Sequence, residues 1–421
     1  MTVNCGCDEA RKVSLSRRRL LAAGAAGAFA GLAGSQLDTQ LAFAADPAYS
    51  GDVLVLLSLR GGFDGLSAVV PAGDPGYYTA RPGIGVPKSQ LIGGGTFFGL
   101  HPALAPLLPY WTSGKLAAVQ AVGQPAPNRS HFSAMEELER AAPGTSLRTG
   151  WLSRMLGSLG ADDPFDAIAM GTARPARVLD GPAPYLGVTS IDGLALTGDD
   201  AAKPLAATMA ALYKGAPATL AKTAGQLTGA LDRGKALRAA GYTPANGASY
   251  PSTELGAALR DVARMIKAGA GLMTATVDSG DWDMHENLGV AQPGRRMHDQ
   301  LAQLASAIAA FATDLGPDGL RRVTLVTISE FGRRVAQNGS GGLDHGYGNA
   351  MFLLGGGVRG GQVHGTWPGL GAGQLRDGDL AVTTDYRAVI GEILRARCGV
   401  RDLASVFPGV PASSLGVVTA R

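Results

Sequence analysis

Apolar residues recur along this chain in two registers, unbroken runs of strand length and longer stretches of helical period. The unbroken runs are Asp52–Leu59, Leu116–Val122, Asp166–Met170, Leu272–Val277, Arg322–Ile328 and Ala350–Leu354. Continuous apolar strands without alternation are the mark of a parallel sheet covered on both faces. Helical patterns fall at Pro102–Leu108, Trp151–Leu159, Thr253–Ala268, Arg296–Leu315 and Asp385–Arg397. Ser133-Ala134-Met135-Glu136 has the form of a capping box, which predicts a helix starting there and running to about Arg140. Strands alternating with helices imply right-handed crossovers and a mainly parallel sheet.

Between Arg174 and Thr253 the pattern changes. Ala, Gly and Pro dominate, and the helical stretches Ala201–Lys214 and Ala218–Ala240 follow one another. Segment 174–253 therefore reads as an inserted helical subdomain or cap on one large α/β domain spanning 45–421.

The N-terminus has a different purpose. Ser16-Arg17-Arg18-Arg19-Leu20-Leu21 is a twin-arginine pattern, followed by an Ala- and Gly-rich apolar stretch to about Ala33. Ala42-Phe43-Ala44 supplies small residues for a signal peptidase, so residues 1–44 read as an export signal cleaved near Ala44. The apolar stretch is shorter than the ~20 residues of a spanning helix, which argues against a stable membrane anchor. The implied partner is the twin-arginine translocase and the implied location periplasmic or secreted.

Removal of the leader changes the picture in two ways. Cys5 and Cys7 leave with it, so Cys398 remains alone and no intramolecular disulfide forms. Five basic leader residues oppose Asp8, Glu9 and Asp38, a net of +2, which leaves about +1 of the whole chain's +3 on the rest. A near-neutral protein gives no footprint for nucleic acid. Glycine, at 62 of 421 residues, implies many tight turns and close backbone approaches.

Acidic residues and histidines cluster just after the strand patterns. In an open α/β sheet, groups delivered past the carboxyl ends of several strands converge on one place, and carboxylates with imidazoles there are the makings of a metal site. Asp64 follows the first strand in Arg60-Gly61-Gly62-Phe63-Asp64-Gly65. Asp283 and His285 lie two apart in Asp281-Trp282-Asp283-Met284-His285, so in extended backbone both project to one side. Glu330 and Arg333 follow Arg322–Ile328, and Asp344-His345 stand in the Gly-rich stretch 339–348. Asn128-Arg129-Ser130-His131-Phe132 precedes the helix that the capping box places at Ser133. That leaves Ser130 free as a nucleophile facing a helix dipole and Arg129 as an anion clamp, with Arg333 as a second. His101 and His364 are weaker candidates, and His298 reads as structural.

These motifs, together with Thr384-Asp385-Tyr386-Arg387, resemble domain-of-unknown-function family 1501, in the alkaline phosphatase/sulfatase superfamily. The resemblance implies an alkaline-phosphatase-like three-layer α/β sandwich. It implies a site of two metals, commonly zinc, or of one calcium as in sulfatases. Carried over by position, Asp64 looks like the first-strand ligand and Ser130 like the nucleophile. Asp283, His285 and His345 look like the ligands of one metal, and Glu330 falls where the superfamily has the Asp of an Asp-His pair. Phe331 stands where that pair's histidine belongs, so a second ion would be held mainly by oxygens. That leaves one metal, or a harder ion (Mn, Mg or Ca) in place of dinuclear Zn. The Cys/Ser-x-Pro-x-Arg signature of sulfatases does not accompany Ser130, which argues against formylglycine chemistry.

The expectation is an exported metal-dependent hydrolase of phosphate or sulfate esters, its substrate a small molecule or glycan ester. A phosphotransferase or mutase of the same superfamily fits the same residues. The alternative from another class is a non-catalytic binding or assembly protein on a degenerate phosphatase-like scaffold.

Overall fold

A computed structural model describes residues 49–421 apart from 173–175, 197, 200–203 and 411–413. The predicted leader, 1–44, lies outside the described residues. Among the described residues nine strands form the main sheet: β1 (Val53–Leu59), β2 (Leu116–Gly123), β3 (Ala167–Met170), β4 (Leu186–Val188), β5 (Thr274–Ser279), β6 (Val323–Ile328), β7 (Asn349–Gly355), β8 (Val363–His364) and β9 (Thr384–Asp385). Their order is β8-β2-β7-β6-β1-β5-β3-β4, with β9 also on β2. Every pairing is parallel except those of β7, which runs antiparallel to both β2 and β6. β1, β2, β3, β5 and β6 thus end at one edge of the sheet, and β7 starts there.

The unbroken hydrophobicity of β1 has a direct cause. Val55, Leu57 and Leu59 enter one core with α5 (Glu254–Lys267) and α6 (Arg296–Leu320). Leu54 and Leu56 enter the other with α2 (Trp151–Ser158) and α7 (Tyr386–Arg397). Both faces are buried, and the chain is a three-layer α/β sandwich, as the resemblance implies, around the mainly parallel sheet that the strand pattern predicts.

Segment 174–253 carries α3 (Leu205–Tyr213) and α4 (Ala218–Ala239). It also contributes β4, which pairs parallel with β3 and extends the sheet. Three residues, Leu-Gly-Val, are too few for periodicity to reveal. Beyond α4 the chain is tied down at the buried Asp314 of α6, which accepts from Tyr242 and Tyr250 hydroxyls, Ala245 N–H and Lys267 Nζ at 2.6–2.9 Å.

One predicted boundary is corrected. The helix placed at Ser133 is α1 (His131–Arg140), with Ser130 at its N-cap position. Glu136 pairs with Arg140 four residues on instead of reaching back to close a capping box. Asn128 Oδ1 accepts Ser130 N–H at 3.0 Å, an Asx turn that starts the helix three residues early.

Candidate metal centre

Four loops meet at the carboxyl edge of the sheet. The first follows β1, where Gly61 holds φ +115 and a Cβ would stand 2.6 Å from the amide nitrogen of Asp283. Only glycine allows that turn and that approach. The second follows β5, where Trp282 and Met284 are buried while Asp283 and His285 face outward, the period-two alternation of extended chain. The third, Ser329–Arg333, follows β6, and the fourth carries Asp344-His345 into β7. Arg333 laces them together. Its buried guanidinium donates to Gly62 O (2.7 Å), Leu343 O (2.8 Å), Trp282 O (3.2 Å) and Gly61 O. It also reaches Asp283 Oδ1 at 2.5 Å.

The side chains of His131, Asp283, His285 and His345 converge there. One ligand atom each from His131, Asp283 and His345 lie within 4.8 Å of one another. His285 Nε2 is 3.0 Å from Asp283 Oδ1 and 2.9 Å from His345 Nε2. His345 Nε2 is 3.3 Å from Asp283 Oδ1, and His131 Nε2 is 3.6 Å from Asp283 Oδ2.

The second nitrogen of each ring is already engaged. His131 Nδ1 lies 2.8 Å from Glu330 Oε1, His285 Nδ1 3.2 Å from Asp344 Oδ1, and His345 Nδ1 2.8 Å from the Arg129 carbonyl. Carboxylate and carbonyl oxygens accept and do not donate, so Nδ1 of His131 and of His345 carries the hydrogen and Nε2 of each is turned to the cluster, while His285 meets a carboxylate at both nitrogens, Asp344 at Nδ1 and Asp283 at Nε2. Such outer contacts fix tautomer and ring orientation in metal sites. His131 Nε2 is buried without a hydrogen-bond partner, since 3.6 Å is beyond hydrogen-bond reach. Two Nε2 lone pairs facing each other at 2.9 Å repel unless a cation or proton lies between them.

The charges agree. Burial pushes the Asp283 carboxyl up, but Arg333, His285 and His345 outweigh it and hold it at about 2, so it is ionised at neutral pH. Burial lowers His345, and Arg333 and His131 lower it further, so its imidazole stays neutral and able to ligate. Three imidazole nitrogens and one carboxylate suit a zinc-class ion better than calcium or magnesium, which prefer oxygen.

The structure brings Asp283, His285 and His345 together and adds His131, which the sequence reading passed over for its neighbours Arg129 and Ser130. The remaining candidates have other partners. Asp64, named as a ligand, is buried and gives both oxygens to Arg81 (2.6 and 2.9 Å) and one to Ser67 N–H (3.1 Å). Glu330 and Asp344 sit behind His131 and His285 as hydrogen-bond acceptors. Glu330 is further held by Gly61 N–H (2.9 Å) and Ser329 Oγ (3.0 Å). The two anion clamps are both occupied. Arg129 pairs with the buried Asp379 and stacks on Tyr347 at 4.5 Å, and Arg333 is spent on carbonyls and Asp283. Phe331 packs its ring on His131 (4.8 Å) and His345 (4.7 Å). Ser130 is exposed, makes no capping hydrogen bond through its side chain, and stands directly before His131. His101 caps the turn at Ala103, His298 contacts Asp299, and His364 contacts the Arg359 carbonyl, all apart from the cluster. Asp385 caps α7 and pairs with Arg387 at 2.7 Å.

A family model described as "Protein of unknown function (DUF1501)" matches residues 97–390. No curated protein matches. Among solved structures, a sulfatase from Pseudoalteromonas sp. is similar at 12% identity and a TM-score of 0.35, over 87% of this chain and 70% of that one. A lipoteichoic acid synthase from Listeria monocytogenes is similar at 8% identity and a TM-score of 0.30, over 80% and 76% of the respective chains.

Proposed function

The chain belongs to domain-of-unknown-function family 1501, matched over residues 97–390, and from that premise we propose that it is an exported hydrolase of phosphate or sulfate esters dependent on a single zinc-class metal. The observation that carries the reading is the donor set. Nε2 of His131 and of His345, each oriented by an acceptor on Nδ1, face the ionised Asp283, and His285 Nε2 stands 3.0 Å from the same carboxylate. His131, Asp283, His285 and His345 are the residues that would hold the ion. Bound there, it would supply Lewis acidity and lower the pKa of an adjacent hydroxyl or water.

The protein's own groups define the rest. The Ser130 hydroxyl, at the start of the ten-residue α1, faces the positive end of the helix dipole and is the nucleophile in this reading, or the group that orients an attacking water. As the Ser130 oxygen bonds phosphorus or sulfur its proton passes to solvent, the ester bond to the leaving alcohol breaks and that oxygen takes a proton from solvent; water then attacks the seryl ester, releasing phosphate or sulfate and restoring the hydroxyl. With Arg129 and Arg333 committed elsewhere, the anionic group is met by the α1 N-terminus and by the exposed Arg296, which reaches the Asp283 carbonyl at 3.4 Å. Asp64 and Glu330 offer no free oxygens for a second ion, which favours one metal.

Export by the twin-arginine route belongs to the same proposal. Among the described residues no helix is long and apolar enough to cross a membrane. The competing reading, a degenerate binding scaffold, draws on Phe331. That ring, however, packs against two of the imidazoles and leaves the four-residue donor set intact.

Metal analysis by mass spectrometry, joined to hydrolysis of p-nitrophenyl phosphate and p-nitrophenyl sulfate, tests the proposal. The parent should carry about one zinc-class ion, Asp283→Ala should lose it with all turnover, and Ser130→Ala should keep the metal and lose turnover. A metal-free parent after zinc reconstitution, or an Asp283→Ala protein as active as the parent, would overturn it.

A further inference from the structure

A second cleft lies apart from the candidate metal centre, between segments 73–76 and 367–374. Its volume is about 450 Å³, within the range of small-ligand sites. Asp74 builds it. Oδ2 accepts from Trp367 Nε1 (3.0 Å) and Leu370 N–H (2.9 Å), and Oδ1 accepts from Gly76 N–H (2.9 Å), so one carboxylate pins both walls. The cleft is therefore formed before any ligand arrives.

Its chemistry is selective. Phe97 and Trp367 line it, and Phe98 packs behind them edge to face at 4.9 and 5.4 Å. Phe97 is 36% exposed, an apolar cost with no return inside the molecule. Trp367, its N–H held by Asp74, is locked in place. Gln374 Oε1 accepts Gly371 N–H at 2.9 Å, which leaves its Nε2 to donate to a ligand. Among the described residues Asp74 is the sole charged group of the lining and its oxygens are already engaged, so none of them offers a cation to an anionic ligand. Glycines form much of the remaining wall. Gly369 holds φ +90, the left-handed region that favours glycine, so a side chain there would strain the loop.

We propose that this cleft binds a neutral pyranose ring of a glycan, with the sugar's CH face on Trp367 and Phe97 and a hydroxyl accepting from Gln374. A sugar has the one apolar face and polar rim that an aromatic platform with a lone amide donor matches. The inference stands whether or not the metal centre hydrolyses esters.

The test is binding of the full chain, stripped of metal, to an array of neutral pyranosides, followed by calorimetry on the ligands retained. Tryptophan fluorescence reports on this cleft in particular. Of the four tryptophans, Trp111, Trp151 and Trp282 are buried and Trp367 is half-buried. Saturable binding should shift the emission. Trp367→Ala should weaken binding about tenfold, close to one aromatic contact of about 1.4 kcal/mol. Gln374→Leu should weaken it severalfold, and Trp367→Phe should keep binding while losing the fluorescence change. Thermal melts of each variant separate lost binding from lost fold. No glycan retained, or retention unchanged in a folded Trp367→Ala protein, overturns the proposal. Ester hydrolysis is not read in this assay, so its failure leaves the metal-centre reading untouched.

Discussion

The sharpest perturbation concerns Asp64, because the resemblance makes it a metal ligand and the structure makes it half of a buried ion pair. Its side chain and that of Arg81 are 2% and 0% exposed, joined at 2.6 and 2.9 Å. Removing one member of such a pair strands the other charge in a dry site, at a cost of about 3–5 kcal/mol. Unfolding entropy of about 2.1 cal/mol/K per residue over roughly 370 residues gives about 0.8 kcal/mol/K, so the melting temperature should fall by about 4–6 °C. Arg81→Met and Asp64→Asn should both show this loss and both keep the metal content of the parent. The double variant should lose much less than the two added together, since neither charge is then stranded. Arg81 also serves the Val335 and Arg334 carbonyls at 2.9 and 3.0 Å, so recovery should be incomplete. Differential scanning calorimetry beside metal analysis reads both quantities on the same sample. An Asp64→Asn protein with the parent's melting temperature and no metal would refute the ion-pair account and restore Asp64 as a ligand.

Glu330→Gln, which weakens the acceptor behind His131 without changing side-chain size, should lower zinc affinity about 10–100-fold in a competitive chelator titration while the fold is kept. Asp314 gives a pH signature. Burial raises its pKa, but Lys267, Tyr242, Ala245 N–H and Tyr250 outweigh it, and the net shift is downward. A depressed carboxylate stabilises the fold fully above the unfolded value of about 3.9 and loses that contribution as pH falls through the folded value. The melting temperatures of the parent and Asp314→Asn should therefore be apart at neutral pH and converge in acid. Cys398 is fully buried, and burial together with Asp52 pushes its thiol up to about 12. It should resist Ellman's reagent in the native protein and react at once in guanidinium.

The strands were legible because their signal is local. A run such as VLVLLSL is apolar throughout since both faces of β1 are covered, and its end locates the loop that carries Asp64. The same logic placed Asp283 and His285 on one side of an extended segment, with Trp282 and Met284 on the other. β4, β8 and β9 escaped because two or three residues carry no period. The start of α1 escaped because two local signals competed. Ser133 and Glu136 have capping-box spacing, but Asn128 closes a turn onto Ser130 and Arg140 takes Glu136. Once the helix was placed three residues late, His131 read as part of a loop, and its place beside Asp283 was hidden.

The assignments that changed share one cause. The residue type suited the chemistry, but a partner distant in sequence had already claimed the functional atoms. Arg81 takes Asp64, Asp379 takes Arg129 from 250 residues away, and the carbonyls of three separate loops take Arg333. No spacing rule within a motif reports such claims, because they are set when the loops pack. The histidines differ in a way that is physical and general. An imidazole has two nitrogens, and a partner that engages Nδ1 prepares Nε2 instead of consuming it. A guanidinium or carboxylate whose contacts are filled is withdrawn from the site, whereas a histidine with one contact filled is aimed into it. Glu330 and the Arg129 carbonyl do this for His131 and His345. The same packing that engages Asp64, Arg129 and Arg333 elsewhere is therefore what orders the imidazoles around Asp283.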